Sequence, residues 1–375
     1  MVYSSRLRSG IGAVSSCFNI LGLRVQDSRF LEHGKHEPSE DAPLVLVACS
    51  GGRDSLALVA LSVKVCSSRG LRCAVVIVDH HLQEHSSEVA NQAALRCENL
   101  GIESNLIHVV SISVTDSGTG VEAAARDARY SAIIDVARKI NAYAVLLAHT
   151  ANDQAESVLI GLRDSAGLDA VAGMKNIVFR DGVRFARPII ELSREDTTGI
   201  CKDLGIDWWD DPTNGDLVSS DSLSDEYPLR SRVRHNLMPY ISKFFNANMV
   251  QVLARGARLA QDDLDYINIC VDEVVDRVVT VRNSSDMKEA TPAALSVTID
   301  AKTLAKNHAA IRRRVVARAL AELNLRFSAS HVEAIDSLIF DWHGQKPITL
   351  PNCYLAERKS NTVTISTVLR NSMLR

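Results

Sequence analysis

Ser50, Gly51, Gly52, Arg53, Asp54 and Ser55 interrupt two apolar runs, Leu44 to Cys49 before them and Leu56 to Val65 after. The order of residue types describes a strand, a turn of small residues and the start of a helix. Such a turn binds anions. Two glycines let the backbone come close to a ligand, its N–H groups point outward, and the helix N-terminus adds partial positive charge. Ser50 and Ser55 supply hydroxyl donors, and a phosphate chain is the anion that best suits the set. The loop is not G-x-x-x-x-G-K-[ST], because no Lys follows the glycines, and it is not G-x-G-x-x-G.

Other residues with chemical potential recur along the chain. Asp79 closes Val-Val-Ile-Val-Asp-His-His, where a carboxylate at a strand end could hold Mg²⁺ beside phosphates. A cap or turn aspartate is the other reading. His149, Asp153, Glu156, Ile160 and Arg163 are spaced four, three, four and three apart. On a helix that spacing makes one stripe, directed at a pocket if the helix begins at His149, or a solvated face otherwise. Glu122, Arg126, Arg129 and Tyr130 share another helical spacing, and Arg126 and Arg129 suit phosphate oxygens as well as they suit an exposed Glu–Arg face. Arg230, Arg232 and Arg234 form one basic cluster, and Arg312, Arg313, Arg314 and Arg318 another. Such clusters grip phosphate backbones without reading sequence, or simply line a wet helix.

The elements that must position these residues alternate. Strand-like runs occupy Leu44–Ala48, Cys73–Val78, Asn105–Val110 and Ala144–Ala148, with helical patterns over Leu56–Ser67, Ser86–Leu100 and Glu122–Ile140. This is the pattern of an α/β fold, a parallel sheet with helices on both faces. Ligands bind beyond the carboxyl ends of such strands, which selects Ser50–Ser55, Asp79–His81, Ser111–Gly120 and His149–Asp153. A short helix is expected near Arg194–Leu204. Turn chemistry follows at Asp211-Pro212-Thr213-Asn214, then a Ser/Asp-rich loop from Gly215 to Tyr227. Phe244–Val279 reads as helix, Arg282–Pro292 as linker, and Val297–Thr367 as a strand, two helices and a short hairpin. The expected organisation is an N-terminal extension with a helix (1–42), a nucleotide-binding domain (43–240), a helical linker region (241–292) and a small α+β C-terminal domain (293–375).

The chain has 375 residues, enough for two or three domains, with 46% hydrophobic and 23% charged residues. Net charge is −3, so any nucleic-acid partner must be held by local patches. No run approaches a membrane span. Ile11–Leu23 lacks a clear signal-peptidase site and reads as an amphipathic first helix. Eight cysteines are scattered without C-x-x-C, which argues for a reducing, cytoplasmic compartment and against zinc or iron–sulfur ligation.

Taken in order, Ser50 to Ser55, Asp79-His80-His81-Leu82, Arg126-Asp127-Ala128-Arg129-Tyr130, His149 through Glu156, Arg163 with Gly167, Arg187-Pro188, Asp211-Pro212-Thr213-Asn214 and Arg230 to Pro239 resemble the tRNA(Ile)-lysidine synthetase family of the ATP-pyrophosphatase (PP-loop) superfamily. The resemblance covers about residues 40 to 245 well and the C-terminal segment weakly. It implies an adenine nucleotide α-hydrolase-like fold, ATP as substrate with Mg²⁺, and a C-terminal tRNA-recognition domain. It also implies a CAU-anticodon tRNA(Ile) and free L-lysine as partners, and is compatible with a homodimer. In the implied reaction the wobble cytidine is adenylated at C2, pyrophosphate leaves, and lysine displaces AMP. The implied ATP loop is Ser50, Gly51, Gly52, Arg53, Asp54 and Ser55, with Asp54 holding the turn or a metal-bound water. Asp79 or Asp153 is the candidate Mg²⁺ ligand. Asp54, Asp79, His149, Asp153 and Glu156 are the candidate catalytic residues. The last three are open between lysine's base and its ammonium holder. Arg126, Arg129, Arg163, Arg230, Arg232 and Arg234 are candidates for phosphate or tRNA contact. The chain departs from the family at Gln83 (usually Arg), Thr150 (often His), Ser157 (usually Thr) and in a longer loop over Gly215–Tyr227. It is also expected to lack the extra C-terminal domain of longer members. Rival readings are a PP-loop tRNA thiolase, disfavoured by the absence of paired cysteines, and a non-enzymatic nucleotide-binding protein, disfavoured by the additional basic segments.

Overall fold

The computed structural model describes all residues except 1–2, 33, 35, 82–84, 113–120, 166, 217, 219–221, 284–294 and 368–375. Gln83 and most of the Ser111–Gly120 edge segment therefore lie outside the described residues. The chain forms two compact units, Met1–Gln261 and Asp262–Arg375.

In the first unit a six-stranded sheet has the order β3 (Ile107–Ser111), β2 (Arg72–Asp79), β1 (Leu44–Ala48), β4 (Ala144–Leu146), β6 (Val183–Ala186), β5 (Ile177–Arg180). All neighbours are parallel except the β5–β6 pair. The strands are apolar on both faces because helices cover both. Val45, Val47, Val75 and Ile77 pack with helices α1 (Ser5–Ile20), α2 (Arg53–Arg69) and α3 (Ser86–Asn99). Leu44, Leu46, Ala74 and Val76 pack with α4 (Val121–Lys139) through Tyr130, Ile133 and Ile134. The winding runs outward from β1 to β3 and resumes on the other side at β4. Chain reversal of this kind opens a crevice at the carboxyl ends of the two central strands. Here those strands are β1, which leads into Ser50–Ser55, and β4, which leads into His149 and α5 (Ala151–Asp164).

One expectation needs correction here: the β5–β6 hairpin adds strands where none was expected. The helix expected over Phe244–Val279 is present as Met249–Val278, and a further helical rod, over 229–244, precedes it.

The second unit holds a five-stranded antiparallel sheet, order β7 (Val279–Asn283), β8 (Leu295–Asp300), β11 (Thr362–Thr367), β10 (Tyr354–Lys359), β9 (Ile348–Leu350). Helices Ala309–Glu322 and Ala329–Phe340 bury Val315, Val316, Leu320, Ile335 and Leu338 with Val297, Ile299 and Ile365 of the sheet. More strands are present than the expected strand and hairpin, and Arg282 belongs to β7 rather than to a linker.

Candidate active site

The small residues after β1 fold as their types require. Gly51 has φ +81, a left-handed conformation that a side chain would strain, and its absent Cβ would meet Ala93 Cβ at 3.0 Å. Ser55 Oγ ties the turn together: it receives the Ser50 N–H at 3.2 Å and donates to the Gly52 carbonyl at 2.9 Å. Cys49 Sγ accepts the Gly51 N–H at 3.4 Å beneath the loop. Gly52 is the N-cap of α2 without any side-chain cap, so the helix's first N–H groups stay open to an anion.

Arg53 points elsewhere. It donates to Asp210 at 3.0 Å and to Asp216 at 2.7 Å, bracing the loop against the segment that follows α7 (Arg194–Leu204). Trp209 N–H, bonded to the Gly51 carbonyl at 3.0 Å, adds to this brace. Asp54 faces α7, bonded to Thr197 Oγ1 and 3.5 Å from Arg194 Nε. Burial pushes the Asp54 carboxyl up, while Arg194 and Thr197 pull it back.

Beyond β4, His149 precedes the helix rather than opening it. Thr150 is the N-cap, and Asp153 closes a capping box by accepting the Thr150 N–H at 2.9 Å and Oγ1–H at 2.8 Å, both on Oδ2. Asp153 Oδ1 has no hydrogen bond among the described residues and lies 3.7 Å from Arg234. Burial works against its charge, but Arg194, the Thr150 N–H and Arg234 outweigh it and hold its carboxyl below the usual range. Glu156 is 1% exposed and takes a two-pronged contact from Arg234 at 2.7 and 3.1 Å, with Arg230 Nε at 3.5 Å. Burial nevertheless pushes the Glu156 carboxyl up against the Arg234 hydrogen bonds. Burial, helped by Arg187, Arg230 and Arg129, drives the His149 imidazole down to about 3.

The crevice thus gathers Ser50–Ser55, His149, Asp153, Glu156, Arg230 and Arg234. Asp54 lies close enough to Asp153 for the second charge to raise the first. Arg126 and Arg129 are solvent-exposed and have no carboxylate within 4.0 Å among the described residues. Three candidates stand apart. Asp79 turns inward to its own loop, accepting from the His81 N–H at 3.0 Å and Ser87 Oγ at 2.7 Å. Desolvation opposes its charge, and these bonds with one from Ser86 hold its carboxyl low. Arg163 is exposed and pairs with its neighbour Asp164 at 2.7 Å, so the stripe does not extend that far. Arg232 pairs with Asp225.

Two arginines were not singled out by spacing. Arg187 Nε donates to His149 Nδ1 at 3.2 Å and its Nη1 to the Lys175 carbonyl at 2.6 Å. Arg194 is 16% exposed, yet its Nε and Nη1 have no hydrogen-bond partner among the described residues; Asp54 and Asp216 stand 3.5 and 4.0 Å away. A signal existed for Arg194. It is the first residue of α7, where the helix dipole disfavours a cation, and the carboxylates of Asp54 and Asp216 offset that cost.

A family model described as a PP-loop domain matches residues 25–241, and one described as a TilS substrate binding domain matches 300–364. The tRNA(Ile)-lysidine synthase of Bifidobacterium longum (strain DJO10A) is 47% identical over 97% of this chain and 98% of its own. The chain belongs to the tRNA(Ile)-lysidine synthase family. As a member it is an ATP-using enzyme of tRNA modification, a ligase that forms a carbon–nitrogen bond. The Streptomyces coelicolor member is 35% identical over 86% of this chain and 85% of its own. Among solved structures, a U34-tRNA thiolase from Methanococcus maripaludis superposes with a TM-score of 0.48 at 15% identity, covering 68% of this chain and 79% of that one, too loosely to argue from.

Within the segment matched by the substrate-binding model, the second basic cluster divides. Arg312 is buried, pairs with Asp336 at 2.7 and 3.1 Å, and lies 4.2 Å from the Phe340 ring centre. It is a core ion pair rather than part of a basic surface. Arg313 and Arg318 remain exposed. Among the described residues no helix is long and apolar enough to cross a membrane.

Proposed function

We propose that this member converts the wobble cytidine of a CAU-anticodon tRNA(Ile) to lysidine, with free L-lysine as the amine donor. One observation carries the reading: the anion loop after β1 and the buried Asp153–Glu156 pair after β4 share one crevice, flanked by arginines. The loop N–H groups and the Ser50 hydroxyl would receive the charge of departing pyrophosphate as the C2 oxygen of the base attacks the α-phosphorus of ATP. The lysine amine then attacks C2, and AMP departs with that oxygen. The amine's ordinary pKa is about 10.4, so it must lose a proton before attack. Glu156, already raised by burial, suits acceptance of that proton better than His149, whose Nδ1 is occupied by Arg187. Asp153, held ionised, suits the ammonium before deprotonation.

Mg²⁺ fits the crevice on donor chemistry. It takes one or two carboxylates beside phosphate oxygens, and Asp153 Oδ1 and the adjacent Asp54 are hard oxygen donors. Asp79, the other candidate, has its oxygens engaged in its own turn. When bound, the ion would neutralise phosphate charge.

The test is pyrophosphate release with ATP, Mg²⁺ and a CAU-anticodon tRNA, followed by mass spectrometry of the tRNA nucleosides. Release should need the RNA, and lysidine should appear only when lysine is added. Release without RNA, or a modified nucleoside of another mass, overturns the proposal.

A further inference from the structure

The helical rod over 229–244 begins in the crevice and ends outside it. Arg230 and Arg234 hold Glu156 on its first turns. A π turn, Val233–Leu237, follows, with Met238 N–H bonded to the Val233 carbonyl. Pro239 explains the wider turn, since it has no N–H to continue the ordinary ladder. The rod then presents Tyr240 and Phe244 one helical turn apart, and Phe245 just beyond, at 64%, 70% and 62% exposure. The Tyr240 and Phe244 rings lie 25° from parallel with centres 6.2 Å apart, and Phe245 meets Phe244 edge-on at 5.2 Å. At about 1.5 Å per residue, Tyr240 stands roughly 9 Å and Phe244 roughly 15 Å along the rod from Arg234.

Charge decides what such rings would meet. From Leu229 to Gln261 the sequence has no Asp or Glu, in a chain of net charge −3. Arg230 and Arg234 are paired with Glu156, Arg232 with Asp225 and Arg258 with Glu191, while the exposed Lys243 and Arg255 have no carboxylate within 4.0 Å among the described residues. Single-stranded RNA suits such a face: its phosphates take the cations, and each unpaired base offers a flat face to an aromatic ring. We propose that Tyr240, Phe244 and Phe245 form a stacking platform for unpaired anticodon-loop bases adjoining the nucleotide held in the crevice. The proposal deepens the function above and rests on it. A base taken out of the loop leaves neighbours unstacked, and the platform would replace the lost stacking.

The experiment uses the full chain and a fluorescent CAU anticodon stem-loop, with affinity read by anisotropy at fixed salt. Tyr240→Ala/Phe244→Ala should weaken binding about tenfold or more, and Tyr240→Leu/Phe244→Leu should weaken it comparably, because leucine restores apolar area but no ring. ATP affinity and oligomeric state should match wild type in both. Unchanged RNA affinity in the alanine variant overturns the platform. So does full recovery by leucine, or a change of oligomeric state, which would mark the face as a contact between copies. A wild-type chain that binds no stem-loop overturns the functional proposal along with the platform; wild-type binding with an unaffected variant overturns the platform alone.

Discussion

Arg187 donates from Nε to Nδ1 of His149 at 3.2 Å, which puts the imidazole's own proton on Nε2. With burial driving it down to about 3, His149 stays neutral in the folded protein where the unfolded chain titrates near 6.5. The unfolded state alone then gains a proton as pH falls below about 6.5. The group's contribution to stability is full above that pH and is lost as pH falls toward 3, by at most about 1.4 kcal/mol per pH unit. Urea unfolding of wild type and His149→Gln at pH 7 and pH 5 should show the wild type losing more, on the order of 1–2 kcal/mol. Equal losses would mean that the folded imidazole protonates freely.

Arg194 has a guanidinium with unsatisfied N–H groups between two carboxylates at the crevice. A phosphate chain would satisfy them. Arg194→Ala should reduce RNA-dependent pyrophosphate release by about 10²-fold or more while leaving the fold intact by circular dichroism. Arg194→Lys should recover little, since one ammonium does not reproduce the fork. Wild-type turnover in the alanine variant would reduce Arg194 to a structural counter-ion.

At Gly51 a Cβ meets both a disfavoured φ and Ala93, whereas at Gly52, with φ −80, the nearest atom to an added Cβ is Ser50 Oγ at 3.5 Å. Gly51→Ala should cost about 1–2 kcal/mol or more and weaken ATP binding. Gly52→Ala should leave stability within about 1 kcal/mol, so that any loss of ATP affinity there reports close approach of the ligand. Equilibrium dialysis with labelled ATP, beside urea unfolding, separates the two effects.

In the C-terminal unit, Arg312→Ala abandons the buried Asp336 and should destabilise by about 3–5 kcal/mol. The exposed Arg313→Ala should cost less than about 1 kcal/mol and show its effect in tRNA affinity instead. If denaturant midpoints of the two variants coincide, Arg312 is not the core residue its burial indicates.

Much of this was legible in residue order. The β1–loop–α2 passage and the alternation through β4 could be read because apolar runs, glycines and helical periods agree there. The β5–β6 hairpin was missed although its signal is present: Asp181-Gly182 sits between alternating residues, and both have positive φ, as a tight hairpin turn needs. Thr150-x-x-Asp153 likewise reads as a capping box, which explains why the helix starts two residues later than the stripe's spacing suggested. Other parts had no local signature. Glu156 with Arg234 and Arg53 with Asp216 join positions 78 and 163 residues apart. Arg312 looked like its neighbours because helical spacing does not tell a buried arginine from a wet one until Asp336 is seen beside it.

The double grip of Arg53 on Asp210 and Asp216 has a thermodynamic corollary. The arginine belongs to the anion loop, and both carboxylates belong to the segment leading toward Arg230 and Arg234. If Asp216 has a second arrangement, a ligand that favours one of the two would alter the affinity of a second ligand at Ser50–Ser55. By linkage, the second must alter the affinity of the first by the same factor. ATP and RNA would then report on each other's presence through one side chain, and the reciprocal shifts in their dissociation constants would measure how firmly that side chain couples them.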